Sequence, residues 1–199
     1  MGKLYLLRHA QSTVNVDRVF HCYDGLGDLT EFGVEQAHKA ATWLTDKDIT
    51  AIYASTAVRA RQTAEIIGEA LDLPVTTLDG LGEVKCGDMD GQSGDPAWEA
   101  WWAIFKRWLQ AEWDAGYPGG ETLREAFLRF FDALGKVRKE GNAVVVSHGG
   151  ILRGVVPFLC VNAAALQRAD LVDNTGFIVL EPYSDSRYIC ESWNLLEHL

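Results

Sequence analysis

Apolar residues follow two rhythms along this chain. Compact runs at residues 3–7, at Ala51-Ile52-Tyr53-Ala54, at Val75 to Leu78 and at Val144–Val146 have the length of buried strands. Between them the apolar positions step by three and four. Phe32, Ala37, Ala40, Ala41 and Leu44 follow Thr30, a residue suited to an N-cap, and predict a helix from Thr30 to Leu44. Ala57 to Leu71 predicts a second helix that stops before Pro74, and Ile151 to Leu159 a later one. Trp98, Trp101, Trp102, Phe105, Trp108, Leu109 and Trp113 form an aromatic stripe at the same steps. Pro118-Gly119-Gly120 interrupts it, and a helix capped near Glu121 or Thr122 is expected to run to about Lys139. Phe177–Leu180 and Tyr188–Trp193 predict a terminal strand pair.

Strands alternating with helices give an α/β fold: a three-layer α/β/α sandwich on a mostly parallel central sheet. No repeat, low-complexity stretch or linker divides the chain, so residues 1–199 are expected to form a single domain. The aromatic stripe, about 95–117, is expected as a helical insertion over the active-site edge of the sheet.

Composition narrows the class without naming it. Hydrophobic residues are 48% and charged residues 23% of the 199, an ordinary globular balance. No apolar run approaches the ~20 residues that span a bilayer, and the N-terminus lacks the pattern of a signal peptide, so a cytoplasmic protein is expected. The net charge of −10 argues against nucleic acid or an anionic membrane as partner. It leaves room for a small anionic metabolite gripped by a few arginines. Cys22, Cys86, Cys160 and Cys190 form no C-x-x-C pair, so neither a disulfide framework nor a zinc site is expected. The sixth residues after them are Asp28, Gln92, Leu166 and Leu196, so the arginine of a C-x5-R phosphatase loop is absent.

Chemistry concentrates where the apolar runs stop. Arg8-His9 ends the first run and Ser147-His148-Gly149-Gly150 follows the Val144–Val146 run. Open α/β sheets expose ligand sites at the carboxyl ends of their strands, so the two histidines are expected to converge. Attack by imidazole on phosphorus needs a neutral nitrogen, cations or amides on the equatorial oxygens, and a proton donor for the leaving alcohol. His9 suits the nucleophile and Arg8 a planar clamp. Arg59, just past the second strand, brings another cation, and His148 with the Gly149 amide a further donor pair. Ser12 and Asn15 offer hydrogen bonds to phosphate. Glu83, in a loop with Gly82, Gly87 and Gly91, is the best proton donor.

These residues also carry a resemblance. Leu7-Arg8-His9-Ala10-x-Ser12-x-x-Asn15, Arg59-Ala60-x-Gln62-Thr63-Ala64, Glu83-x-x-x-Gly87-x-x-x-Gly91, Pro118-Gly119-Gly120-Glu121 and Val146-Ser147-His148-Gly149-Gly150 are similar, in order, to the histidine phosphatase superfamily, in the branch with cofactor-dependent phosphoglycerate mutases and small-molecule phosphatases. The resemblance spans residue 4 to about 182. It implies a phosphohistidine on His9, a phosphate pocket of Arg8, Arg59 and His148, and Glu83 as general acid and then base, with no metal and no cofactor.

Three departures bear on the substrate. Ala10 stands where the family usually has glycine, and is expected to be tolerated if its φ is negative. Phe20, His21 and Cys22 occupy the place of a substrate-holding Phe-Thr-Gly stretch. Trp101, Trp102, Phe105 and Trp108, with only Lys106 and Arg107 as cations, replace the mutases' basic grip on a carboxylate. The expectation is therefore a phosphatase acting on a small phosphomonoester with an apolar or stackable part. The alternatives are a phosphoglycerate mutase and a catalytically dead phospholigand-binding module. His38 and His198 are expected at the surface, Arg124 and Arg129 as solvated or paired helix residues. The aromatic stripe is compatible with core, substrate platform or a homodimer face.

Overall fold

The computed structural model describes residues 2–22, 25–137, 141–163 and 171–199. Its six strands are β1 (Leu4–Arg8), β2 (Ile49–Ala54), β3 (Val75–Thr77), β4 (Asn142–Ser147), β5 (Phe177–Ser184) and β6 (Arg187–Leu195), ordered β3-β2-β4-β1-β5-β6 in one sheet. β1, β2, β3 and β4 run parallel, while β5 is antiparallel to β1 and forms a hairpin with β6.

The helices are α1 (Thr13–Val16), α2 (Glu31–Leu44), α3 (Val58–Leu71), α4 (Asp95–Leu109), α5 (Leu123–Gly135) and α6 (Gly149–Leu159). Strand side chains alternate between faces. Tyr5, Leu7, Val144 and Val146 pack with Ala40, Ala41 and Leu44 of α2 and with Ala60, Ala64 and Ile67 of α3. Leu4, Leu6, Ala143 and Val145 face the other way, into a core shared with α4, α5 and α6. The runs read as buried strands because helices cover both faces.

Capping agrees with the sequence at the helix starts. Thr30 Oγ1 accepts the Gly33 N–H at 3.0 Å, and Thr122 with Glu125 makes a capping box for α5. Three details differ. Phe32 is exposed, because the buried stripe of α2 runs through Gly33, Gln36, Ala37, Ala40, Ala41 and Leu44; a Cβ at Gly33 would lie 2.0 Å from the Gln11 carbonyl oxygen. α5 stops at Gly135 rather than near Lys139, and residues 138–140 lie outside those described. α4 ends at Leu109, so Trp113 belongs to the following turn, where it packs on Phe127 and Phe158.

The aromatic stripe divides in two. Phe105 and Trp108 are fully buried, and Trp108 Nε1 donates to the Ala115 carbonyl at 2.9 Å. A Cβ at Gly154 would sit 3.0 Å from Trp108, so glycine lets α6 approach α4. Trp98 and Trp101 instead reach the carboxyl end of the sheet beside Phe20.

Two expectations are corrected. Cys22 and Cys86 are joined by a disulfide across 64 residues of sequence. No C-x-x-C spacing announces such a bond, because it joins two loops brought together by the sheet. Cys160 and Cys190 are free and buried. His198 is half-buried rather than at the surface: its Nε2 lies 3.1 Å from Thr175 Oγ1 and its ring packs on Phe177. Among the described residues no helix is long and apolar enough to cross a membrane.

Candidate active site

β1 and β4 are neighbours in register, Arg8 opposite Ser147, so the next residues of both chains leave the sheet side by side. The His9 N–H continues the ladder to the Ser147 carbonyl at 3.0 Å. The His9 and His148 rings meet edge to face with centroids 5.1 Å apart. β2 lies on the other side of β4, and its end leads through Ser55 to Arg59 in the first turn of α3. Three strand ends thus deliver His9, His148 and Arg59 to one place.

Arg59 is the hub. Its Nε donates to His9 Nε2 at 3.1 Å, while Nη2 reaches His148 Nδ1 at 3.2 Å and the His21 carbonyl at 2.9 Å. A guanidinium only donates, so both ring nitrogens it meets are acceptors. His9 therefore carries its proton on Nδ1, 2.8 Å from the Ala10 carbonyl, and keeps a lone pair on Nε2. His148 carries its proton on Nε2, 2.8 Å from Ser55 Oγ. Burial, followed by the charges of Arg59 and Arg8, holds the His9 pKa well below the usual imidazole value. Burial and then Arg59, His9, Arg129 and Arg8 do the same to His148. Both rings are neutral in the free protein.

Arg8 donates through Nη1 to the Val172 carbonyl at 2.8 Å, and its buried Nε has no partner. Burial lowers the Arg8 pKa against the opposing pull of Glu83 and Asp173. A buried, unspent guanidinium N–H in a cleft is a donor waiting for an anion. Glu83 closes the other side. Its Oε1 accepts the Val84 and Ile151 N–H groups at 2.8 and 2.7 Å, and Oε2 accepts the Gly150 N–H at 3.0 Å. These last two amides are unpaired donors of the first turn of α6. A Cβ at Gly150 would lie 2.7 Å from Glu83 Oε1, which explains the second glycine of the pair.

The cleft holds about 120 Å³ and is lined by Arg8, His9, Asn15, Arg59, Glu83, Gly149 and Gly150 on its polar side. Phe20, Cys22, Trp98 and Trp101 give it an apolar wall, and His21 joins the lining with its carbonyl on Arg59. Of the expected substrate-binding residues, Asn15, Phe20, His21, Cys22 and Gly149 therefore line it. Ser12 does not. It is fully buried, and its hydroxyl and backbone N–H both donate to Asn15 Oδ1, at 3.0 and 3.1 Å. His148 lies behind Arg59 and reaches the cleft through it. Ala10 is buried without a positive φ, and its N–H donates to Thr63 Oγ1 at 3.1 Å.

Asn174 was not singled out from sequence. Its Nδ2 donates to the His9 carbonyl at 2.9 Å and to Asn15 Oδ1 at 3.2 Å. Three donors on Asn15 Oδ1 leave the Asn15 Nδ2 for the cleft. The only sequence signal for Asn174 was turn-like composition before β5. As for metals, Cys22, Cys86 and Asp90 place ligand-type atoms within 4.8 Å of one another. The two sulfurs are bonded together and Asp90 Oδ1 accepts the Cys22 N–H at 2.7 Å, so the oxidised pair presents no thiolate to an ion.

A family model for the histidine phosphatase superfamily, branch 1, matches residues 4–195. A 2,3-bisphosphoglycerate-dependent phosphoglycerate mutase of Rhizobium meliloti is 30% identical over 168 residues, 79% of each chain. Phosphoserine phosphatase 1 of Hydrogenobacter thermophilus is 36% identical over 154 residues, covering 74% of this chain and 71% of the relative. A mycobacterial glucosyl-3-phosphoglycerate phosphatase solved with VO3 shares the fold, with a TM-score of 0.83 at 24% identity over 98% of this chain and 100% of that one. The chain belongs to the histidine phosphatase superfamily, branch 1. Relatives with phosphatase and with mutase names place it among the enzymes of that superfamily.

Proposed function

We propose that this enzyme hydrolyses a small phosphomonoester through a phosphohistidine on His9. The observation that carries this reading is the lone pair on His9 Nε2, held toward Arg59, with Arg8 and Glu83 lining the same cleft and His148 behind Arg59. Substrate phosphate would draw the Arg59 and Arg8 donors onto its oxygens and free Nε2 to attack phosphorus. The P–O bond to the alcohol breaks as the P–N bond forms, and the electron pair leaves with the alcohol oxygen. Glu83 supplies its proton; Oε2 accepts a single amide and has room for one. Water then attacks the phosphoryl group, Glu83 takes a proton from that water, and His9 leaves as neutral imidazole with inorganic phosphate released. His148 Nδ1 accepts from Arg59 in the free protein, so it donates to phosphate only after gaining a proton, which the incoming dianion favours. The scheme uses protein groups and water alone, which is the reading of a metal-independent phosphatase.

Hydrolysis is favoured over mutase chemistry by the cleft's far wall. Among the described lining residues the cations are Arg8 and Arg59 alone, both at the phosphate end. Phe20, Trp98 and Trp101 stand where a second anionic group would need a basic grip, and suit an alcohol with an apolar or stackable part. The whole chain acts here as one catalytic unit, with residues of about 95–117 covering the sheet edge. The mutase reading is supported by the Rhizobium relative.

Incubation with ³²P-labelled phosphomonoester followed by quenching should trap an acid-labile, base-stable phosphoenzyme, absent from His9→Ala. Label that never reaches protein, or reaches His9→Ala equally, refutes the mechanism. Primer-dependent interconversion of 2- and 3-phosphoglycerate faster than hydrolysis would select the mutase instead.

A further inference from the structure

The loop that carries Glu83 has almost no backbone ladder of its own, yet the carbonyls of Gly80, Leu81, Gly82, Glu83 and Lys85 each meet a donor from elsewhere in the chain. Arg129, on α5, donates through Nη1 to the carbonyls of Gly80 and Gly82 at 2.9 and 3.0 Å and through Nη2 to the Glu83 carbonyl at 2.8 Å. Its remaining donors go to Glu121: Nε to Oε2 at 2.9 Å and Nη2 to Oε1 at 2.6 Å. A guanidinium has five N–H groups, and these contacts use five acceptors. Glu121 Oε1 also accepts the Lys85 N–H at 2.9 Å, and the Glu121 N–H donates to the Lys85 carbonyl at 2.8 Å. Ser147 Oγ donates to the Leu81 carbonyl at 2.7 Å.

We infer that Arg129 and Glu121 are positioning residues that hold the Glu83 loop at the distance proton transfer requires. Neither lines the cleft, so neither touches substrate. Their ion pair is nearly buried, with side-chain exposures of 16% and 7%. Backbone removed from water must find partners, and here one side chain meets three carbonyls of the part-buried loop. The planar fork matters: a lysine ammonium has three donors and cannot span two carboxylate oxygens and three carbonyls at once. The anchor points lie on both sides of the Glu83 side chain, at the Gly80 and Gly82 carbonyls before it and at the Glu83 carbonyl and Lys85 after it. Glu83 and Val84 are the loop residues that line the cleft, and the α6 amides receive the Glu83 carboxylate there.

This inference rests on Glu83 being the proton donor, and the experiment separates the two. Rates are measured on 4-nitrophenyl phosphate, whose leaving group needs little protonation, and on a primary alkyl phosphate, whose leaving group needs much. Glu83→Gln should slow the alkyl ester selectively. Arg129→Lys and Glu121→Gln should slow the same ester by ~10–10²-fold, the scale of a 1 Å misplacement. The nitrophenyl rate and the inhibition constant of inorganic phosphate should stay within about 2-fold, because the Arg8–Arg59 pocket is untouched. Added to Glu83→Gln, neither variant should lower the alkyl rate further. Equal losses on both esters, weakened phosphate binding, or additive losses on Glu83→Gln would overturn the inference. A Glu83→Gln enzyme with no leaving-group preference would instead overturn the proton-donor reading. Hydrogen exchange of the 80–86 amides reports on the clamp if Arg129→Lys loses stability: faster exchange confined to that loop is expected, and unchanged exchange refutes the clamp.

Discussion

Two neutral histidines buried against two arginines make this fold sensitive to mild acid. His9 and His148 are both held well below the usual imidazole pKa, mainly by burial and then by Arg59. In the unfolded chain each titrates near ~6.5. The sign follows from counting protons. Below about pH 6.5 the unfolded state binds two protons that the native state refuses, so stability rises with pH through that window and falls on acidification. Each histidine contributes a slope approaching about 1.4 kcal/mol per pH unit, and the pair about twice that. Integrated from pH 7 to pH 5, this is about 2 kcal/mol for each, or about 4 kcal/mol for both, a large part of the ~5–15 kcal/mol of a typical domain.

Urea unfolding followed by tryptophan fluorescence at pH 7, 6 and 5 measures this directly. Parallel curves for His9→Gln, His148→Gln and the double variant subtract the carboxylates, which titrate in the same range in all four proteins. Wild type should lose about 4 kcal/mol more than the double variant between pH 7 and 5, and each single variant about half of that excess. If the wild-type and double-variant slopes coincide, the two rings take up protons in the native state. The neutral, lone-pair-bearing His9 on which the mechanism rests would then be wrong as well.

Three further outcomes follow from particular contacts. Reducing the Cys22–Cys86 bond frees a loop of 64 residues, worth about 4 kcal/mol in chain entropy and roughly 10 °C in Tm for a chain of this size; a dithiothreitol melt that leaves Tm within 2 °C of the oxidised protein, with Cys22→Ser as control, counts against that bond. Trp98→Ala removes an aromatic face from the cleft wall and should raise KM for a bulky aryl-alcohol phosphate by ~3–10-fold while leaving a small alkyl phosphate unchanged; equal effects on both would remove the wall from specificity. Gly150→Ala places a methyl group 2.7 Å from Glu83 Oε1 and should cost ~10–10²-fold in kcat with little change in phosphate inhibition, a split read from steady-state kinetics.

The strands and helices were legible because each obeys one local rhythm, and covered sheets leave continuous apolar runs that announce themselves. His9, Arg59 and His148 were legible for a related reason. Residues at strand ends in a parallel sheet must emerge on one edge, so their convergence follows from topology before any contact is known. Ser12 lies off the cleft because a hydroxyl next to a helix start has two uses, and here it donates to Asn15 Oδ1. Phe32 failed because the buried stripe of α2 passes through Gly33, whose value lies in what it lacks.

What the sequence kept hidden is of one kind: partners separated by long stretches of chain and joined by loops. Cys22 meets Cys86, Asn174 meets His9 and Asn15, and Arg129 meets a loop 46 to 49 residues away. No periodicity encodes such contacts, since neither member sits on a repeating face. They share a consequence. The His9 carbonyl is held by Asn174, the wall residue Cys22 by its disulfide, and the Glu83 loop by Arg129, so three parts of the cleft are tied down by side chains from elsewhere. The sheet edge supplies phosphate chemistry almost by construction. The shape of the cleft beyond the sheet edge depends on these ties.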